Sequence, residues 1–263
     1  MSGYKHILFE IGEDRVALLT LNRPDRLNAI VPDMMVEIVD AMNRAVAEGA
    51  GCLLMTGAGR GYCAGADLIE KDKGENGRPD LGDGIRKNLM PVMDTMSDLD
   101  IPVVIAVNGP AAGGGFGMAV GGDVVVAGRS AFFQMGFNKI GLVPDMGGSW
   151  YIANTMGRAR AMDFALMGWR MTADQALEYG LISRVFEDDQ LMVEARRIAA
   201  ELAAGPRVAY KLTRKAITAA LEGTRQDAVN AECAGQTIAG YTDDHYEGVA
   251  AFVEKRAPKF QGR

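Results

Sequence analysis

Histidine is almost absent from this chain. Only two occur in 263 residues, His6 and His245, each near one end. A Ser-His triad or a His-rich zinc site has little to work with. Cysteine is scarce too, and Cys52, Cys63 and Cys233 stand at no metal-ligand spacing. An odd number of thiols and no visible secretory leader lead us to expect a reducing cytoplasm. Basic residues are outnumbered, 28 Lys and Arg against 34 Asp and Glu, for a formal charge of −6. That argues against a general electrostatic grip on nucleic acid, which needs a basic face, and leaves only local basic patches open. Long apolar runs are missing as well: each is broken by Gly, Asp or Arg well short of a membrane span. No repeat of 20–50 residues and no low-complexity tract is visible. What is present is ordinary. Hydrophobic residues make up 48% and charged residues 24%, which excludes a disordered chain.

The pattern along the chain predicts an α/β fold. Residues 7–11 and 15–21 read as a strand pair across a Gly12-Glu13-Asp14 turn. Residues 32–48 have helical spacing, with Met35, Ile38, Val39, Met42 and Val46 on one face. Strands are expected at 51–56, 103–107, 124–127 and 182–186, and a helix at 85–99. A second helix should begin at Phe116. The charged, glycine-rich stretch 71–84 reads as a mobile loop that, continued to 90, shapes a substrate pocket. The strands are too apolar to face water, so the sheet should be covered on both sides. From about 158 onward helices dominate. An α/β core at 1–200 and a helical region at 201–263 are the expected divisions.

Three segments could carry chemistry. In Tyr62-Cys63-Ala64-Gly65-Ala66-Asp67, small residues after a strand let backbone N–H groups approach a ligand closely. A plain tight turn would use the same residues. Asn108 to Gly117 contains Gly113-Gly114-Gly115 between a buried strand and a helix. Its orphan amides can meet a phosphate or a developing oxyanion, or the glycines can serve close helix packing. No Lys-Ser/Thr follows, so a P-loop fails, and the glycine spacing does not support a dinucleotide site. In Gly141-Leu142-Val143-Pro144-Asp145-Met146-Gly147-Gly148, one carboxylate sits among apolar and small residues. Asp145 is either a proton acceptor and donor or the N-cap of a following helix.

Together these segments resemble the crotonase superfamily, the enoyl-CoA hydratase/isomerase family, over nearly the whole chain. The likeness begins at Leu19-Thr20-Leu21-Asn22-Arg23-Pro24 and Leu27-Asn28-Ala29. It runs through Cys63 to Asp67, Asn108-Gly109, Gly113 to Gly115, Gly122-Asp123, Ile140-Gly141-Leu142 and Gly147-Gly148. It ends at Glu247-Gly248 and Phe252 to Arg256 before Pro258. The resemblance implies a spiral of strand–strand–helix units and a helical C-terminal region that mediates trimers or dimers of trimers. It implies an acyl-CoA thioester as substrate, with no cofactor besides, no metal and no membrane or nucleic-acid partner. The implied oxyanion hole is the N–H groups of Ala66 and Gly114. Ala64, Asp67 and Gly113 are implied to line the substrate. Arg26 is implied to reach a CoA phosphate, and Lys259 and Phe260 a neighbouring subunit's CoA.

Departures from the family pattern bear on the reaction. Hydratases of the family carry two glutamates, and the corresponding places here hold Gly117 and Phe137. Asp145 stands where the family's isomerases place an acid. Its context is similar to the phenylacetate-pathway isomerases that act on a ring epoxide. The resemblance thus implies an isomerase in which Asp145 moves a proton through a dienolate. Phe132, Phe133, Met135, Phe137 and Met146 would form either a water-excluding wall or ordinary core. Three other readings stay open: a hydratase with atypical acids, a dehalogenase with Asp145 as nucleophile, and a non-catalytic acyl-CoA-binding protein. The dehalogenase reading lacks a core histidine to activate water.

Overall fold

Side chains alternate across a strand, so a strand covered on both faces is an unbroken apolar run. Such runs organise the computed structural model, which describes residues 3–68 and 78–263. Nine strands lie among them: β1 (Ile7–Ile11), β2 (Val16–Leu21), β3 (Cys52–Gly57), β4 (Val103–Val107), β5 (Ala111–Ala112), β6 (Val124–Gly128), β7 (Phe132–Gln134), β8 (Met171–Thr172) and β9 (Arg184–Phe186). The helices are α1 (Pro32–Ala47), α2 (Leu81–Gly84), α3 (Met90–Asp98), α4 (Gly114–Val120), α5 (Gly148–Met167), α6 (Ala173–Glu178), α7 (Leu191–Ala203), α8 (Arg207–Glu222), α9 (Arg225–Gly240) and α10 (Asp243–Glu254).

Six strands form one sheet in the order β1-β2-β3-β4-β6-β9. It is parallel except for the β1–β2 hairpin. Every residue of β3 and β4 is buried. Leu53, Met55, Val103, Ile105 and Val107 face the larger core. Cys52, Leu54, Val104 and Ala106 face the opposite way, against α7. Helix α7 presents Leu191, Ala195, Ile198 and Ala199 to them, and its alanines allow a close approach. Helix α1 starts at Pro32, where the missing N–H costs nothing. It buries Met34, Met35, Ile38, Ala41, Met42 and Ala45, while Val39 and Val46 are only partly covered at the edge of that stripe.

A smaller sheet, β5-β7-β8, lies beside the first. Single bridges pair Cys63 with Ala111 and Ile30 with Ala66, tying the loop after β3 to this sheet and to the segment before α1.

Several expectations need correction. The helix expected from Phe116 starts at Gly114, because Gly113 (φ 55°, ψ −130°) turns the chain in a conformation suited to glycine. The helix expected after Asp145, near Gly147, is α5, which starts at Gly148. Gly157 (φ 72°, ψ 163°) breaks α5, so no single apolar period runs through it. Of the loop expected at 71–84, residues 71–77 lie outside the described residues, and 81–84 are helical. Residues 85–89 continue in a π-helical turn, with Met90 N–H donating to the Ile85 carbonyl. This wider turn precedes Pro91, which has no N–H to give.

Helices α8, α9 and α10 follow α7. No residue of α8 is buried. Arg214 joins α8 to the core, donating to Asp123 Oδ1 at 2.7 Å, to the Met96 carbonyl at 2.7 Å and to the Leu99 carbonyl. Asp123 Oδ2 accepts from Val103 N–H at 2.7 Å, so the same carboxylate ties α8 to β4. Among the described residues no helix is long and apolar enough to cross a membrane.

Candidate active site

Three loops meet beyond the ends of β3, β5 and β7. The first follows β3 and is held at its base by two asparagines. Asn28 Nδ2 donates to the Ala58 and Gly61 carbonyls at 3.0 and 2.8 Å. Asn108 Nδ2 donates to the Gly57 and Gly59 carbonyls at 2.8 and 3.0 Å, and its Oδ1 accepts from Gly57 N–H. Asn28 is fully buried and left-handed (φ 55°). Higher up, Ala64 N–H donates to the Leu27 carbonyl. Ile30 N–H donates to the Gly65 carbonyl at 2.8 Å, and Asp67 N–H donates to the Ile30 carbonyl at 2.9 Å. In a parallel bridge this pattern turns the N–H of the intervening residue, Ala66, away from Ile30.

The second loop is the triple glycine. Ala112 N–H donates to the Cys63 carbonyl and Gly113 N–H to the Gln134 carbonyl, each at 2.9 Å. The next amide, that of Gly114, donates to no protein acceptor among the described residues, and neither does that of Ala66. The two loops abut. A Cβ on Gly65 (φ 88°) would stand 2.8 Å from the Ala112 carbonyl oxygen and 3.3 Å from Gly114 N.

The third segment carries Asp145. A Cβ built on Gly114 would meet Asp145 Oδ1 at 3.2 Å, Ile30 Cδ1 at 3.3 Å and Met146 Cγ at 3.4 Å. One oxygen of the carboxylate is therefore seated over the triple-glycine turn. The N-cap of α5 is Gly147, which has no side chain to cap with; the capping alternative for Asp145 is not what this geometry adopts. Asp145 also lies close enough to Cys63 for its charge to act there. Burial foremost pushes the Cys63 thiol up to about 12, the Gly65 N–H opposes, and the Asp145 charge adds to the rise. Cys63 is thus a neutral packing thiol, not a nucleophile, at neutral pH.

Other expected site residues sit in different surroundings. The Asp67 carboxylate turns to Arg23, with Arg23 Nη2 at 3.1 Å and side-chain exposures of 4% and 10%. It braces the loop from behind, so a direct substrate contact through this buried side chain is not what the structure offers. Phe137 is buried, with its Cζ 3.9 Å from a Cβ on Gly113. Phe133, Met135, Phe137 and Met146 all belong to one core cluster, with Phe133 edge-on to Phe116, and Phe132 lies under the Arg170 guanidinium. Of the expected apolar wall, Phe137 and Met146 reach the glycine turn. Arg26 is exposed in a short 3-10 turn, Pro24–Arg26. Lys259 N–H donates to Glu247 Oε1 at 2.7 Å, and the Phe260 ring packs toward Gly248. Among the described residues no hydrogen bond or ion pair joins Arg26, Lys259 or Phe260 to the Asp145 cluster. Sequence reasoning missed Ile30, whose signal was its place directly after Leu27-Asn28-Ala29. No group of three or more His, Cys, Asp or Glu suited to a metal occurs among the described residues.

A mostly parallel six-stranded sheet thus presents a glycine turn with open amides and an acid seated on it. Residues 12–263 match the Enoyl-CoA hydratase/isomerase family, and the chain belongs to that family. The chain is 42% identical to the 1,2-epoxyphenylacetyl-CoA isomerase of Escherichia coli K12, over 95% of this chain and 97% of that protein. It is 38% identical to a protein named as a probable enoyl-CoA hydratase in Rhodobacter capsulatus, over 99% and 100% of the two chains. The crystal structure of an enoyl-CoA hydratase from Polaromonas sp. JS666 superposes with a TM-score of 0.91 at 30% identity, covering 97% of this chain and 99% of that one.

Proposed function

We propose that this protein is an acyl-CoA isomerase that uses one carboxylate, Asp145, for both proton transfers. The observation that carries this reading is Asp145 Oδ1 at 3.2 Å from the Cβ direction of Gly114, together with Gly117 and Phe137 where hydratases of the family hold acids. The thioester carbonyl docks at the Ala66 and Gly114 amides. Asp145 removes a proton next to the double bond or ring. Charge collects on the thioester oxygen, where two preorganised donors meet it. The same carboxyl then returns the proton at another carbon, so a 3-enoyl-CoA becomes its 2-enoyl isomer. The likeness to the E. coli isomerase supports a ring epoxide as the physiological group, which would open to a seven-membered ring. Coenzyme A enters as part of the substrate, and the reaction so written uses no further cofactor.

A homotrimer or dimer of trimers is part of this proposal. Tyr246, Val249, Phe252 and Val253 of α10 are exposed, Phe252 by 86%, and soluble monomers rarely leave a large contiguous apolar patch open. Sedimentation at micromolar concentration tests it; a monomer would refute it.

The test of the reaction is a paired assay. One sample receives a 3-enoyl-CoA and the other a 2-enoyl-CoA in water, with products followed by mass and ultraviolet absorbance. Conjugation without mass gain is expected in the first and no water addition in the second. Asp145→Asn should lower kcat by about 10²–10⁴-fold, the usual worth of a general acid–base, while acyl-CoA binding is kept. A fully active Asn variant, or efficient hydration by the native protein, refutes the reading.

A further inference from the structure

Gly117 lies one turn after Gly114 on α4, so the two share a helix face. Both are buried. Gly114 lies under the Asp145 carboxylate, and Gly117 lies under the next residue. A Cβ on Gly117 would stand 2.5 Å from the Met146 carbonyl oxygen, 2.6 Å from Met146 Cβ and 3.0 Å from its carbonyl carbon. These atoms belong to the main chain or are fixed to it, so no rotamer change could move them aside. Met146 is itself strained. It is a non-glycine residue at φ 50°, a left-handed conformation that persists only where the surroundings enforce it. Gly147 continues the turn at φ 70°. Gly148 N–H closes it onto the Asp145 carbonyl at 2.9 Å.

We propose that Gly117 is a positioning residue for Asp145. It forms a bare saddle in α4 on which the Met146 main chain rests, and that seat holds the carboxylate over Gly114. The proposal deepens the isomerase reading and rests on it. It also makes acids at 117 and 145 mutually exclusive in this backbone. A glutamate at 117 needs the space that the Met146 carbonyl fills, so introducing it lifts Asp145 instead of completing a hydratase pair.

The test uses the full-length protein with Gly117→Ala and Gly117→Glu. Gly117→Ala should lower kcat for the 3-enoyl-CoA at least tenfold, with KM within twofold. Amide hydrogen exchange should rise in the peptide covering 143–150 and stay unchanged in β3 and β4. Adding Met146→Gly to Gly117→Ala removes one of the clashing atoms and accepts the positive φ, so part of kcat should return. Gly117→Glu should lose isomerisation and gain no water addition. Native kcat with native exchange in Gly117→Ala overturns the saddle. So does a kcat loss matched by lost acyl-CoA binding and faster exchange throughout, which would make Gly117 ordinary packing. If the unmodified protein moves no double bond, the isomerase reading fails by itself. The exchange data then decide the saddle: a rise confined to 143–150 supports it and no rise overturns it.

Discussion

Arg23 and Asp67 meet at 3.1 Å behind the loop that carries Ala66, and both side chains are almost completely enclosed. Arg23 also donates to the Ala29 carbonyl at 2.6 Å. The pair therefore joins the turn after β2 to the rear of the candidate oxyanion loop. Asp67→Ala strips the guanidinium of this carboxylate, and loss of one member of a buried pair costs about 3–5 kcal/mol. Replacing both residues by apolar ones of similar size should cost less than Asp67→Ala alone. Urea unfolding of the single and double variants checks this.

Gly65 makes one of the contacts between the two amide-bearing loops. Gly65→Ala forces a side chain to φ 88° and drives its methyl against the Ala112 carbonyl and Gly114 N. The strain is worth about 1–3 kcal/mol. Displacing one oxyanion donor lowers kcat by about 10²–10³-fold. Unfolding midpoints and kcat, measured on the same preparation, should both fall; an unchanged kcat would remove the Gly114 amide from the mechanism.

Thiol chemistry reports the burial of the first loop. Cys52 and Cys63 are buried and Cys233 is exposed. Burial pushes both inner thiols up to about 12, so neither supplies thiolate at neutral pH. A chromogenic disulfide reagent should titrate Cys233 alone in the native protein and all three thiols in denaturant.

The C-terminal tail has its own acid dependence. Glu247 is held down to about 2, first by its side-chain bonds from Arg256 and then by the Lys259 N–H. A depressed folded value means that the contact stabilises the tail fully above the ordinary carboxylate range. It is lost as pH falls from about 4.5 through about 2. The Lys259 amide should stay protected from exchange at pH 5 and open near pH 2. In Glu247→Gln it should exchange faster at every pH. Asp244 holds Gln261 and Gly262 independently, at 2.6 and 2.8 Å, so at pH 5 those amides are the internal control for Glu247→Gln.

Much of this molecule follows from local pattern. The strands at Val103–Val107 and Cys52–Gly57 are legible as short unbroken apolar runs, and the buried stripe of α1 as a 3.6-residue period. The three loops with chemical potential were also legible, since Gly113 and Gly65 announce conformations and close approaches that side chains resist. Other features depend on which distant segments meet. Phe132 and Phe133 are strand neighbours, so alternation puts them on opposite faces; only the placement of β7 between β5 and β8 decides that Phe133 is the one inside the core and Phe132 the one beneath Arg170. Asp67 and Asp145 are both acids in small-residue segments. Tertiary pairing turns the first to Arg23 and seats the second over Gly114. Gly117 shows the same division. The sequence determined that no acid stands there. Only the descent of the Met146 main chain onto α4 decided that none would fit, because that contact is between backbones far apart in the chain.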